Sequence, residues 1–231
     1  MAKKNPSPKS MLRSSILKTY KRRGRKTNNI WLVYSHKTKQ DVAVTSHREL
    51  VHLVCFLETD PEVTHFDLDP DVVMSSDDYG DRGTILDAVA TLRSGKKRWD
   101  EVKSGKESEN LSQISQKVAQ SKASSAHGAD YARFYDKDLA PKALLATRWL
   151  TAMSWITTIK GMELEKQALQ VLLSIRKLQR GTIASIQSDL EGFDSAILMG
   201  LILRLAIEGT ISIDLSKLTF GRNTQWVYRN A

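Results

Sequence analysis

The sequence predicts an α/β protein: a mixed sheet flanked by helices over residues 29–160, then a smaller, mainly helical part over 161–231. Three observations carry that reading. TILDAVATLRSGKKRWDEVK (84–103) reads as two strands returned by a Gly turn. SHRELVHLVCFLETD (46–60) and PKALLATRWLTAMSWITTI (141–159) repeat apolar residues at helical spacing. Beyond residue 160, three helical stretches precede one hairpin pattern.

The elements follow in order. Residues 1–28 read as an arm and linker: positions 1–29 hold ten Lys/Arg and no acid, leaving 25 basic against 26 acidic residues in the other 202. The net charge of +9 therefore belongs to the arm. Such a segment either binds phosphate backbones by counterion release or is a solvated terminus. Lys21, Arg22, Arg23, Arg25 and Lys26, with the turn lysines Lys96 and Lys97, are the candidate DNA contacts. IWLVYSHKTKQDVAVTS (30–46) alternates as a hairpin turning at HKTKQ. Ser46 is the expected N-cap of the next helix, with Leu50, Leu53, Val54 and Leu57 on one face. EVTHFDLDPDVVMSS reads as short extended pieces, 107–126 as a helix, DYARFYD (130–136) as a strand, and 141–159 as a helix opened by Pro141.

The tail differs in texture. MELEKQALQVLLSIRKLQRG, TIASIQSDLEG and DSAILMGLILRLAIEGT read as helices, and ISIDLSKLTFGRNTQWVYR as a hairpin bent at GRN. That is the order of a winged helix. Its third helix carries only Arg204 as a base, whereas helices that read base edges present Arg, Lys, Asn or Gln. It suits protein contact or a core better.

Composition excludes several classes. No apolar run reaches 18 residues, and the basic N-terminus lacks a following apolar stretch, so neither a membrane span nor a secretory signal is expected. A lone Cys55 permits no internal disulfide and no Cys-rich zinc site, and a reducing, cytoplasmic setting is expected. HRELVH spaces its histidines five apart rather than four, so they do not share a helix face. The His-x-Glu of zinc deaminases lacks its Cys-x-x-Cys partner, RSGKK is not a complete phosphate loop, and no Gly-x-Ser-x-Gly occurs. His47 and His52 thus read as surface and core side chains.

One constellation carries chemistry. An apolar strand with Asp87 inside it must supply that carboxylate with a cation or donors. With period 2, Glu101 and Lys103 share a face of the neighbouring strand while Val102 turns away, so Asp87, Glu101 and Lys103 can converge. This is the Asp…Glu-x-Lys pattern of restriction-endonuclease-like nucleases. Carboxylates and the Val102 carbonyl suit Mg²⁺, with Mn²⁺ as a substitute. Such a metal polarises a scissile phosphate and acidifies a bound water, and a second ion stabilises the leaving oxygen. Lys103 would orient the water or offset transition-state charge. Glu49, on the first turn of the helix begun by Ser46, is the fourth candidate acid, although the helix dipole alone also favours it there. The same residues also read as a strand-pair salt bridge between Glu101 or Asp87 and Lys103.

Taken together, VYSHKTKQDVAVTSHRELVHLVCFLE, TILDAVATL…WDEVKSG and ARFYDKDLAP, with the tail behind them, resemble the TnsA-type endonuclease subunits of heteromeric cut-and-paste bacterial transposases. The similarity runs from about residue 30 to the end. It implies Glu49, Asp87 and Lys103 at catalytic positions and Glu101 and Val102 at metal-binding ones. It further implies a subunit that nicks the 5′ strands at transposon ends while an integrase-like transposase handles the 3′ ends. The C-terminal part would engage an AAA+ ATPase regulator. The chain departs from the family at Ile85-Leu86, where a polar or proline-containing approach is usual, and at Leu68-Asp69-Pro70, where Gln-x-Pro is common. A second class stays open: a non-catalytic DNA-binding or assembly protein in which Asp87, Glu101 and Lys103 are structural.

Overall fold

The computed structural model describes residues 29–71, 73–77, 80–84, 86–105 and 111–229; the arm with Lys21, Arg22, Arg23, Arg25 and Lys26 lies outside them, as does Ile85. The protein is α/β, built on a mixed four-stranded sheet with helices on both faces.

The first hairpin forms as the alternation predicts, β1 (Trp31–Ser35) pairing antiparallel with β2 (Gln40–Val44). Ser46 caps α1 (His47–His52), its Oγ accepting from Glu49 N at 3.1 Å. The helix continues as a π-helical segment, Leu53–Glu58, closed by Thr59 N donating to the Val54 carbonyl at 3.0 Å. Leu50, Leu53, Val54 and Leu57 are buried, which accounts for the apolar face read in the sequence.

β3 (Val63–Asp67), β6 (Ala88–Leu92), β7 (Lys97–Val102) and β8 (Asp130–Phe134) make the main sheet in that spatial order. β3–β6 and β6–β7 are antiparallel; β7–β8 is parallel. A parallel neighbour requires a crossover, supplied by α2 (Leu111–Ala126). β4 (Val73–Asp77) and β5 (Gly80–Thr84) form a separate hairpin, so the strand expected over 84–91 is divided: Thr84 belongs to β5, and β6 starts only at Ala88. The turn between β6 and β7 needs Gly95, whose φ of +83° is left-handed.

Strand alternation gives the sheet two faces. Phe66, Ala88, Ala90 and Phe134 join α1 and α4 (Ala143–Thr158) in the main core. Leu86, Trp99 and Ala129 form a smaller cluster with Val89, Tyr131 and Ala123 of α2. A short helix, α3 (Asp136–Leu139), and a 3-10 turn, Ala140–Lys142, link β8 to α4.

The C-terminal part runs α5 (Glu165–Leu178), β9 (Arg180–Thr182), α6 (Ile183–Asp189), α7 (Ser195–Ile207), β10 (Ile211–Ile213) and β11 (Gln225–Tyr228). β9, read in the sequence as a helix end, adds a third strand to the predicted hairpin, in the order β10-β11-β9. The main core does not stop at residue 160: Ile156 and Ile159 belong to the same buried cluster as Leu198, Ile202 and Trp226. α4 and α7 meet closely because position 200 is glycine; a Cβ there would lie 2.6 Å from Ile159 Cδ1 and 2.8 Å from the Trp155 carbonyl oxygen. α7 is buried over most of its surface, from Leu198 to Leu203 without a break, and Arg204 donates to the Ile159 carbonyl at 3.0 Å. It is therefore a core helix. Among the described residues no helix is long and apolar enough to cross a membrane.

Candidate active site

Asp87 lies in a bend immediately before β6. Its main-chain N–H donates to the Asp100 carbonyl at 3.0 Å, while its carboxylate accepts from Val102 N–H at 2.7 Å. The side chain thus takes a place that a backbone carbonyl would hold if the ladder continued. The half-buried aspartate is satisfied by a main-chain donor, which answers the cost of placing a carboxylate among apolar neighbours.

Glu101 and Lys103 share a face, as the period of 2 requires: Lys103 Nζ stands 3.1 Å from Glu101 Oε2. Val102 packs its side chain on the main core, on the opposite side of the strand. Asp100 points that way too, bound by His52 at 3.0 Å and by both nitrogens of an Arg98 fork at 2.7 and 2.9 Å. His52 is thereby a core residue, whereas His47 is exposed.

Glu101 is almost wholly buried, and three residues not singled out by the sequence hold it. Gln120 Nε2 of α2 donates to Oε1 at 2.8 Å; the Tyr131 hydroxyl of β8 lies 2.8 Å from Oε2, and Arg133 Nε 3.4 Å from it. Arg133 also donates to the Tyr131 oxygen at 2.7 Å and to Gln120 Oε1 at 3.0 Å. Burial, and then the Glu101 charge, push the Tyr131 hydroxyl well above its usual range. Burial alone would lower Arg133, but its hydrogen bonds to Tyr131 and Tyr135 and the charge of Glu101 outweigh that and raise it. The signal for Tyr131 and Arg133 was the alternation of DYARF together with the parallel register, which sets Trp99 beside Tyr131 and Glu101 beside Arg133.

Glu49 stands on the first turn of α1. Its carboxylate accepts from Thr45 N at 2.9 Å and Thr45 Oγ1 at 3.3 Å, so it stabilises the approach to its own helix. A bridge ties that helix end to the loop after Lys103: the Arg48 guanidinium forks onto Asp136, which also accepts from Gly105 N at 3.1 Å. The Arg48 hydrogen bond holds the Asp136 carboxyl below its usual range. Asp87 is thus bonded to Val102 N–H, between the paired Glu101 and Lys103, whereas the Glu49 carboxylate is bonded to Thr45 and only its neighbour Arg48 reaches the loop after Lys103. Lys96 and Lys97 lie apart: they flank the turn at the far end of the five-residue strand β6, roughly 17 Å away at about 3.4 Å per residue. Lys96 is paired with Asp130 at 2.6 Å.

A cavity of about 390 Å³ lies elsewhere; Asp41, His65, Asp67 and Asp69 line it, and it contains none of the candidate catalytic residues. Among the described residues no group of three or more His, Cys, Asp and Glu side chains is arranged to hold a metal. Mg²⁺, however, commonly uses one or two carboxylates and completes its shell with waters and substrate phosphates. Asp87, Glu101 and the Val102 carbonyl are hard oxygen donors of that type, so the residues present fit the ion. No protein-family model matches the chain, and no curated protein matches it.

Proposed function

We propose that the chain is a Mg²⁺-dependent DNA endonuclease that nicks the 5′ strands at transposon ends, as one subunit of a cut-and-paste transposase. The observation that carries the reading is that the Asp87 carboxylate is bonded to Val102 N–H, between the paired side chains of Glu101 and Lys103, at one end of β6 and β7. The order α1, β3, β6, β7, α2, β8 supports a restriction-endonuclease-like core around them, with one helix, three strands, a crossover helix and a parallel strand. Asp87, Glu101 and the Val102 carbonyl would hold the ion, and Glu49 would join them from the helix start. Bound there, Mg²⁺ or Mn²⁺ would polarise the scissile phosphate and acidify a water. Lys103, about a third exposed, keeps an ammonium beside Glu101 from which it can meet phosphate charge.

The C-terminal order, with a strand between the first two helices and a hairpin after the third, supports a winged-helix-like unit over 161–231. Because α7 is spent in the core, that unit is better suited to a protein partner such as an AAA+ ATPase regulator than to the major groove. The arm and its Lys/Arg run would supply non-specific DNA affinity. One observation favours a second reading, a non-catalytic DNA-binding or assembly protein: Glu101 is saturated by Gln120, Tyr131, Lys103 and Arg133, as in a structural ion-pair cluster.

Strand-specific break mapping decides between them. A donor plasmid is exposed to the full chain together with its candidate transposase and ATPase partners. Mg²⁺-dependent 5′-strand breaks and simple insertions are expected, with cointegrates when Asp87 is replaced by Ala. Simple insertions undiminished by Asp87→Ala in a folded protein would end the nuclease reading.

A further inference from the structure

We propose that Arg133 is the positioning residue of this site, fixing the donor polarity of Gln120 and Tyr131 so that both offer a proton to Glu101. The inference rests on the metal-nuclease reading of Asp87 and Glu101. Arg133 is a donor with no acceptor atom. It occupies Gln120 Oε1 at 3.0 Å, which leaves Gln120 Nε2 facing Glu101 Oε1 at 2.8 Å. The reversed amide would oppose two donors on one side and two acceptors on the other. Arg133 also occupies the Tyr131 oxygen at 2.7 Å, so the hydroxyl proton must point elsewhere. Its acceptors in reach are Gln120 Oε1 at 2.6 Å and Glu101 Oε2 at 2.8 Å, and the bond to the charged oxygen is the stronger kind.

The set is largely buried: the Arg133 and Glu101 side chains are 5% and 3% exposed, Gln120 is fully buried and Tyr131 is half-buried. In such surroundings hydrogen bonds polarise one another and hold one arrangement. A ligating carboxylate whose rotamer is fixed this way presents the same lone pair at every encounter with a cation. Loss of such outer partners weakens metal binding by about 10–100-fold.

Mn²⁺ titration of the full chain, with free ion read by electron paramagnetic resonance, tests this without reference to cleavage. The wild type should bind and Asp87→Asn should not. Arg133→Met and Tyr131→Phe should bind roughly 10–100-fold more weakly with unchanged near-ultraviolet dichroism, and Arg133→Lys should recover part of the loss. Should Arg133→Met fail to fold, Tyr131→Phe, which lacks one hydroxyl, carries the test. Wild-type or tighter affinity in Arg133→Met and Tyr131→Phe, with Asp87→Asn inactive in binding, would overturn the positioning role and leave the nuclease reading standing. Absence of binding by the wild type, or equal binding by Asp87→Asn, would overturn both.

Discussion

Asp87 does two things that separate substitutions can pull apart. Its carboxylate accepts the Val102 amide at 2.7 Å, and it is proposed as a metal ligand. Asp87→Ala removes both and leaves a strand-end N–H without its acceptor, at a cost of about 1–3 kcal/mol. For a chain of this length each kcal/mol shifts melting by about 2–4 °C, so the drop should fall between about 2 and 12 °C. Asp87→Asn keeps an oxygen able to accept the same N–H and should lose less than about 1 kcal/mol. Cleavage should not follow that order. Both variants lack the charge that holds the cation, and a loss of about 3 kcal/mol in transition-state stabilisation corresponds to roughly 10²-fold in rate. The assay pairs melting in chelator with Mg²⁺-dependent nicking by the reconstituted complex. Wild-type nicking by Asp87→Asn would refute the ligand role. Wild-type melting of Asp87→Ala would refute the claim that the side chain secures the end of β7.

Three further outcomes follow from other parts of the molecule. Deleting residues 1–28, where the Lys/Arg run lies, should weaken duplex binding and flatten its salt dependence in filter binding, while melting stays near wild type; unchanged affinity at moderate salt would make the arm a solvated terminus. Gly200→Ala should lower stability by about 1–3 kcal/mol in urea denaturation, because the added Cβ meets Ile159 and the Trp155 carbonyl, and a neutral change would mean that α4 and α7 can separate freely. Burial lowers Lys37 from its ordinary 10.5 to about 8, so between those values the unfolded chain holds a proton that the folded chain has lost, and stability rises with pH across that window. Urea midpoints of Lys37→Met should show a shallower rise between pH 8 and 10.5 than the wild type; an equal rise would place the cause elsewhere.

Much of the site was legible because the strand period is rigid. Once Gly95 marked the turn, Glu101 and Lys103 had to share a face and Val102 to leave it. Ser46 was legible for a similar reason, since a cap works through one local bond. Asp87 was legible as a carboxylate in need of a donor, but its place was not: it sits in a bend before β6, where its carboxylate accepts from the Val102 N–H, a side chain standing in for backbone that strand periodicity does not register. Tyr131 and Arg133 become neighbours of Glu101 only through the parallel β7–β8 register, and Gln120 only through the packing of the crossover helix α2, neither of which is set by adjacent sequence. The extent of the core was hidden likewise. The composition changes near residue 160, yet burial joins Ile156 and Ile159 to Ile202 and Trp226 across it.

The close seat of α7 on α4 at Gly200 has a consequence for how such a chain can be cut or recombined. Ending it near residue 160 would strip Ile156 and Ile159 of their cover, and the released piece would carry a helix that is apolar from Leu198 to Leu203 with part of its wall missing. Each fragment would then present an unsatisfied greasy surface and tend to associate with itself. A genetic breakpoint at the apparent change of texture would therefore be selected against, and a viable split would have to fall where few buried side chains cross.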